Sequence, residues 1–296
     1  MIVIVYINSE GKINENCYLI DGMLMGLPKF LSIYILENNG MRLMIDAGEA
    51  MKARKIVKKL KDFGLYPIDK LILSHSHWDH SQGVNKIKQI MKDTEIEVLA
   101  SENAVKHLKN PTYMNEPYGY NSDPVEGVTP LKEGDIIDLN GLELEITNLY
   151  GHSMDSIGII DRKNKNIIVG DAILNRLDQD AFFVPIMPPD FHENEILKSF
   201  EKLRNMKNEL NSISLAHYGV WEGDGFERIL NEMEELYFDV KNTIVEWYRT
   251  NPSVDVITGK YVEKFMPNSK FWNAQVMKVV IEWVIMGLKM SGEINQ

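Results

Sequence analysis

The 296-residue chain contains a single cysteine, Cys17. One thiol closes no disulfide within the chain and builds no thiolate zinc cluster. Cys17 therefore reads as a buried free thiol. Positive charge is also scarce: 32 Lys and Arg stand against 43 Asp and Glu, a formal net charge of −11. Proteins that grip a phosphate backbone present a dense basic stripe. The densest lysine run here, Lys52 to Lys61, reads as the wet side of an amphipathic helix, so nucleic acid is disfavoured as a substrate. No uncharged apolar stretch approaches the ~18 residues that span a bilayer, so no membrane association is expected. The opening "MIVIVYI" lacks a basic start and a small-residue cleavage site, and reads as a first β-strand rather than a signal peptide. A cytoplasmic location is the expectation that follows.

What is present is an ordinary globular composition, 44% hydrophobic and 25% charged, arranged in two textures. Residues 1–222 alternate strand-like and helix-like pieces. Strands are expected at 1–7, 30–37, 41–46 and 69–74, with the turn "NNG" at 38–40. A lysine-rich helix over 50–63, a helix over 82–92, a strand at 95–100 and a helix from Ser101 follow. Further strands are expected at 135–139, 142–148, 156–161, 166–170 and 212–216, with a helix near 193–208. Two irregular stretches, 110–130 and 175–192, are rich in proline and aromatics, the kind of long loop that often serves a site. From Gly223 onward the pattern is helical. Phe226, Ile229, Leu230, Met233, Tyr237, Val240, Ile244 and Trp247 recur at helical spacing. A last helix over 269–290 is apolar nearly all round and must bury more than one face. The expected division is 1–222 as one domain, which the residues taken up next mark as metal-binding and catalytic, and 223–296 as a helical extension, either a cap or the contact of a homodimer.

The seven histidines are distributed unevenly, three of them within "HSHWDH" at 75–80. This hexad follows the short apolar run "LILS", which marks a buried strand. His75 and His77, two apart, are expected at the strand end pointing to one face. Asp79 and His80 follow as the chain turns. That arrangement suits two neighbouring cations better than one, and imidazole with carboxylate suits zinc, iron or manganese. His152 in "LYGHSMDSIG", Asp171 in "IIVGDAIL" and His217 in "ISLAHYGVW" each stand just after a strand-like run. All would lie at the same edge of a sheet. His107 falls in a helical pattern and reads as a surface residue.

In the order Asp46 in "MIDAG", "HSHWDH", the "GH" histidine, the "GD" aspartate and the final histidine, the chain resembles the metallo-β-lactamase-fold hydrolases. That superfamily includes glyoxalase II and the acyl-homoserine lactonases, and the matched motifs cover residues 46 to 217. The resemblance implies an α/β (α+β) fold, an αββα four-layer sandwich with the metals at one edge. It implies His75, His77 and His152 on a first ion, Asp79, His80 and His217 on a second, and Asp171 bridging both. Asp46 would orient the site without ligating. The helices after 223 resemble the C-terminal extensions of some members.

The cofactors so implied are two divalent ions, zinc in the first instance, with iron or manganese as alternatives. Such a pair lowers the pKa of a shared water from ~15.7 towards ~7, so a bridging hydroxide attacks without a serine or cysteine nucleophile. Asp79 is a candidate to pass a proton to the leaving atom. Departures narrow the substrate: "GHSMDS" replaces the "GHTPGH" common in glyoxalase II, Leu174 stands where lactonases place a tyrosine, and Asp171 weakens an antibiotic-hydrolase reading. A small ester, thioester or lactone is the expected substrate. The alternatives are a mononuclear iron enzyme of the persulfide dioxygenase type, a metal-dependent phosphodiesterase, or a binding module with a relic site. Trp78 and Trp221 are candidates for a substrate wall. Tyr150 and Tyr218 adjoin ligand positions as candidate donors to a substrate oxygen, and His192 lies in an irregular loop near the site.

Overall fold

Alternation along the strands produces two sheets with a shared apolar interior. The computed structural model describes residues 5–174, 176 and 182–295. The first four residues of the expected opening strand, and residues 175 and 177–181 of the second irregular loop, lie outside these. In chain order the strands are β1 (Val5–Ile7), β2 (Gly11–Lys12), β3 (Cys17–Asp21), β4 (Ser32–Asn38), β5 (Met41–Ile45), β6 (Lys70–Leu73) and β7 (Glu97–Ser101). They continue with β8 (Val128–Leu131), β9 (Ile136–Leu139), β10 (Leu142–Asn148), β11 (Ile157–Asp161), β12 (Asn166–Ile168), β13 (Ser212–Leu215) and β14 (Gly219–Glu222). One sheet has the order β2-β3-β4-β5-β6-β7-β8, the other β1-β14-β13-β12-β11-β10-β9.

Strand β4 shows how the layers form. Tyr34 and Leu36 point between the sheets, where they meet Leu43 and Ile45 of β5 and Leu144 and Ile146 of β10. Ile33 and Ile35, one residue out of phase, belong to the helix-covered core. The Tyr34 hydroxyl crosses the gap and lies 2.8 and 3.0 Å from the Leu215 and Gly219 carbonyls, its one proton shared between them. Helix α1 (Ala53–Asp62) buries Ile56, Val57 and Leu60 and leaves Lys55 and Lys58 in water, the amphipathic division its sequence predicts. The short α2 (Trp78–Ser81) and the helices α3 (Val84–Ile90), α4 (Glu102–Lys109) and α5 (Thr112–Asn115) follow in that half of the chain. Helices α6 (Glu193–Met206) and α7 (Asp224–Thr250) pack together, with α7 against β13 and β14. The order of layers is helix, sheet, sheet, helix, an αββα sandwich.

Strands β5 to β8 run parallel, as do β12 and β13. Parallel neighbours bring their carboxyl ends to one edge, the place where open α/β sheets put ligands. The segments after β5, β6, β10, β12 and β13 all emerge there, and each carries at least one of the candidate residues.

Beyond α7 the chain forms α8 (Val254–Phe265) and α9 (Ala274–Met290). The last helix is shorter than the 269–290 expected. It buries Met277, Ile281, Val284 and Leu288, and leaves Val279, Met286 and Met290 exposed. A contact between two copies through these helices would have to use that outward row. On the inward side α9 presses onto the segment after β12: a Cβ on Gly287 would lie 3.2 Å from the Met187 carbonyl carbon.

A polar clamp ties this extension to the sandwich. Glu193, opening α6, accepts from the Tyr237 hydroxyl at 3.1 Å and from Lys241. Lys241 also pairs with Glu293 at 3.0 Å. Partial burial opposes the charge on Glu193, but Lys241 outweighs it and holds the carboxyl below the usual glutamate range. A depressed folded-state value contributes stability above the unfolded value and loses it as pH falls through the folded one. The Lys241→Met protein should therefore melt lower than wild type at neutral pH, with the gap closing on acidification below the ordinary glutamate range. Melting temperatures across that window check this, and a gap that widens in acid would contradict it.

Candidate metal centre

The site begins with Asp46, immediately after β5. Its backbone is left-handed, φ +64°, an uncommon state that a short polar side chain tolerates. The carboxylate is 2% exposed and accepts three contacts. The Ser74 amide donates to Oδ1 at 2.8 Å, the Ser74 hydroxyl to Oδ2 at 2.9 Å, and His80 Nδ1 to Oδ2 at 2.8 Å. With Nδ1 so engaged, His80 turns Nε2 towards the strand ends.

The other rings are oriented the same way. His217 Nδ1 donates to the Phe30 carbonyl at 2.7 Å, and His152 Nδ1 to the Pro185 carbonyl at 3.2 Å. His75 Nδ1 lies 3.1 Å from the Ser74 hydroxyl. Each ring has an oxygen on one nitrogen, which fixes its tautomer and aims the other nitrogen inward. His77 is the exception and turns its Nδ1 to the centre.

His75 and His77 do not occupy the end of β6 as expected. That strand stops at Leu73, and both histidines sit in the turn before α2, with His77 as its N-terminal cap residue. They converge nonetheless. His77 Nδ1 is 2.9 Å from both His75 Nε2 and His152 Nε2. His152 spends its proton on a carbonyl, so its Nε2 is bare in the neutral ring. One hydrogen on His77 Nδ1 cannot bond well to two bare nitrogens at once. A cation among the three satisfies all of them.

A second group adjoins the first. The ligand atoms of Asp79, His80 and His217 lie within 4.8 Å of one another, as do those of His75, His80 and Asp171. Asp171 stands between the two groups, 3.5 Å from His80 Nε2, 3.6 Å from His152 Nε2 and 3.4 Å from His217 Nε2. His80 Nε2 and Asp171 Oδ1 are buried and, among the described residues, otherwise without a hydrogen-bond partner. Buried polar atoms left so are costly unless something else engages them. The donor set of five imidazoles and two carboxylates fits borderline divalent ions.

Electrostatics divides the rings. Burial, and then neighbouring rings, push His75 well down and His77 down to about 3. Burial likewise lowers His152. These three present bare lone pairs at neutral pH. Burial opposes charge on His217 too, but Asp171 and Asp79 outweigh it and push it up to about 10. Asp79, Asp171 and Asp46 do the same for His80. Against the cost of burial, His80 and His217 hold Asp79 below the usual range, and His217 and His80 hold Asp171 well below it.

Other residues join the site without a local sequence signal. Asp155, fully buried, accepts from the Ser76 hydroxyl at 2.5 Å and the Ser153 hydroxyl at 2.7 Å. It thus staples the His75–His77 turn to the His152 turn. The departure "GHSMDS" was its only trace. A cavity opens over the cluster with His77, Asp79, His152, Asp171 and His217 on its floor. Phe30, Trp78, Tyr118, Phe183 and Trp283 form its walls.

Of the five candidate substrate-contacting residues, Trp78 alone is in this lining. Tyr218 follows His217 but faces the interior between the sheets. Trp221 stacks on Tyr6 with ring centroids 4.3 Å apart. Tyr150 turns outward to Asn103, whose amide donates to its hydroxyl at 3.3 Å. His192 is exposed at the start of α6. Only Tyr218 of these four adjoins a ligand position, and its ring takes the opposite side of the chain, into the inter-sheet core; Tyr150, Trp221 and His192 each lie two or more positions from one. His107 stacks on Tyr113 at 5.4 Å, outside the cluster.

A family model described as the metallo-beta-lactamase superfamily matches residues 27–217. A probable metallo-hydrolase of Methanocaldococcus jannaschii is 29% identical over 133 residues, 44% of this chain and 62% of that protein. An acyl-coenzyme A thioesterase of Gallus gallus is 28% identical over 160 residues, 48% of this chain and 57% of that protein. The chain thus spans less than two thirds of either relative. Among solved structures, a metallo-beta-lactamase family protein from Thermus thermophilus superposes with a TM-score of 0.67. The two are 14% identical, and the match covers 95% of each chain. No described helix is long and apolar enough to cross a membrane.

Proposed function

Because the chain belongs to the metallo-beta-lactamase superfamily, we propose that it is a metal-dependent hydrolase of a small ester, thioester or lactone. The observation that carries this is the convergence of seven buried or half-buried ligand side chains at one sheet edge, with nitrogens too close to satisfy one another. In this reading His75, His77 and His152 hold one divalent ion and Asp79, His80 and His217 a second, with Asp171 serving both. Zinc fits the donor set first. Bound divalent ions supply Lewis acidity, making water nucleophilic near neutral pH and polarising the oxygen under attack.

The chain supplies orientation and proton handling. Asp46 and Ser74 hold His80, while the Phe30 and Pro185 carbonyls hold His217 and His152. Asp79 lines the cavity and stays ionised; it takes a proton from the attacking water and returns it to the leaving atom. No cysteine nucleophile is needed. Cys17 lies fully buried between the sheets, its thiol pushed far up by burial. The helices over 223–296 act as a cap, since Trp283 of α9 stands in the cavity wall. The names of the curated relatives, a metallo-hydrolase and a thioesterase, favour the same chemistry.

Stripping the protein with a chelator should abolish hydrolysis of thioester and lactone probes, and zinc should restore it. Oxygen uptake on a persulfide by protein carrying one iron, with no hydrolysis, would replace this reading by the dioxygenase alternative. Cleavage of phosphodiesters in preference to esters would replace it by the other.

A further inference from the structure

Above its polar floor, no charged side chain among the described residues stands in the cavity wall. Tyr118, from the irregular loop after α5, meets the His77 ring at 5.4 Å and the Trp283 ring at 5.0 Å. Its hydroxyl is committed to the Pro188 carbonyl at 2.5 Å, so it offers the cavity a ring face. Phe30 and Phe183 meet at 5.8 Å and close the opposite side, while Trp78 is backed by Tyr120 at 3.7 Å. Leu24, Met25, Leu174 and Met187 complete the lining.

Among the described residues no Lys or Arg lines this space. The nearby Lys52, beside Gly26, is paired with Glu49 at 4.0 Å, and Glu49 in turn accepts from the Met25 amide at 3.1 Å. The chain carries a net charge of −11, which repels anions at long range. A phosphate or carboxylate on the substrate, away from the scissile bond, would be desolvated against rings with no described Lys or Arg in the lining to receive it. An alkyl or aryl arm would instead bury its surface on those same rings.

Resting on the hydrolase reading, we propose that the substrate is uncharged and carries an apolar arm, and that Trp283 with Tyr118 is the wall that selects it. Three thioesters with one acyl group test this: S-hexanoyl-N-acetylcysteamine, which is neutral, S-hexanoylglutathione and hexanoyl-coenzyme A. The neutral probe should exceed both anionic ones in kcat/KM by about ten-fold or more. Lengthening the acyl group should raise kcat/KM by up to about four-fold per methylene until the wall ends. Trp283→Ala should flatten that dependence through KM, and Trp283→Phe should restore most of it. An anionic thioester turned over as well as the neutral one, or a chain-length dependence unchanged in Trp283→Ala, would overturn the proposal. Amide analogues, with NH in place of sulfur, separate it from the hydrolase reading. If no thioester, ester or lactone probe is cleaved but calorimetry shows the neutral amide binding about ten-fold tighter than the anionic ones, the selectivity stands and the hydrolase reading falls. Equal binding of the amides would sink the selectivity by itself.

Discussion

Replacing Asp171 with alanine should lower turnover by at least about a thousand-fold and, on the proposed two-ion reading, reduce the metal content to one ion per chain or none. The reason is its position. Its carboxylate stands 3.4 to 3.6 Å from the inward nitrogens of His80, His152 and His217, and so touches both ligand groups at once. Without it, His217 loses the main anion that offsets its burial and His80 one of three, and no remaining carboxylate bridges the two halves. Asp79 is 3.5 Å from His80 and 3.6 Å from His217, and pairs with neither His75 nor His152. Asp171→Asn separates charge from shape: it keeps the volume and should still fail to hold the second ion. His107→Ala, outside the cluster, should stay within about two-fold of wild type. Elemental analysis and steady-state rates on the same preparations check all three. Near-normal rates in Asp171→Ala would remove the bridging role.

Substituting Gly151 by alanine should be the most damaging single change to the fold at the site, about 3 kcal/mol or more. Gly151 precedes His152 and has φ +130°, a backbone state that L side chains rarely adopt. A Cβ there would lie 2.2 Å from the Ile196 amide nitrogen and 2.3 Å from its Cα, atoms of α6 that cannot move aside. The contact is held shut from both sides. The His192 amide donates to the Gly151 carbonyl at 2.8 Å, and the Ser199 hydroxyl donates to the Tyr150 carbonyl at 2.7 Å. Relief requires α6 to lift from the turn that carries His152. The melting temperature should fall by on the order of 10 °C, and metal affinity should fall with it. A variant melting within about 2 °C of wild type would contradict this packing account.

The parts of this molecule written in short-range pattern were readable beforehand. Strands β4, β5, β6, β10 and β11 are apolar on both faces or cleanly alternating, and the sequence predicts each within a few residues. The proposed ligand residues were also visible as residue types, because they stand in the segments that follow β6, β10, β12 and β13. What escaped has a physical reason in each case. Strand β8 lies within the Pro- and Tyr-rich stretch 110–130 and its continuation, where Pro130 removes a ladder donor; its edge position tolerates that loss. Strand β3 contains Cys17, which invites a reading as a thiol rather than as a sheet residue. Helix α8 includes Thr258 and Gly259, poor helix formers that packing against α9 overrides.

The cavity wall was less legible still. Phe30, Tyr118 and Trp283 are separated by most of the chain and meet only through tertiary packing. A near-uniformly apolar α9 implied more than one buried face, but not that one of them would look into the site. The error over Tyr218 and Trp221 runs the other way. Nearness to His217 in sequence suggested function, while Tyr218 packs in the inter-sheet core and Trp221, in β14 opposite Tyr6 of β1, stacks on that ring.

The central claim is that seven side chains converge to hold a pair of divalent ions. Anomalous scattering at metal absorption edges, from crystals of protein purified without added metal, tests it most directly. The account predicts two ions about 3.5–4 Å apart, one among His75, His77 and His152, the other among Asp79, His80 and His217, with Asp171 on both. A single ion, or ions bound away from these residues, would contradict it.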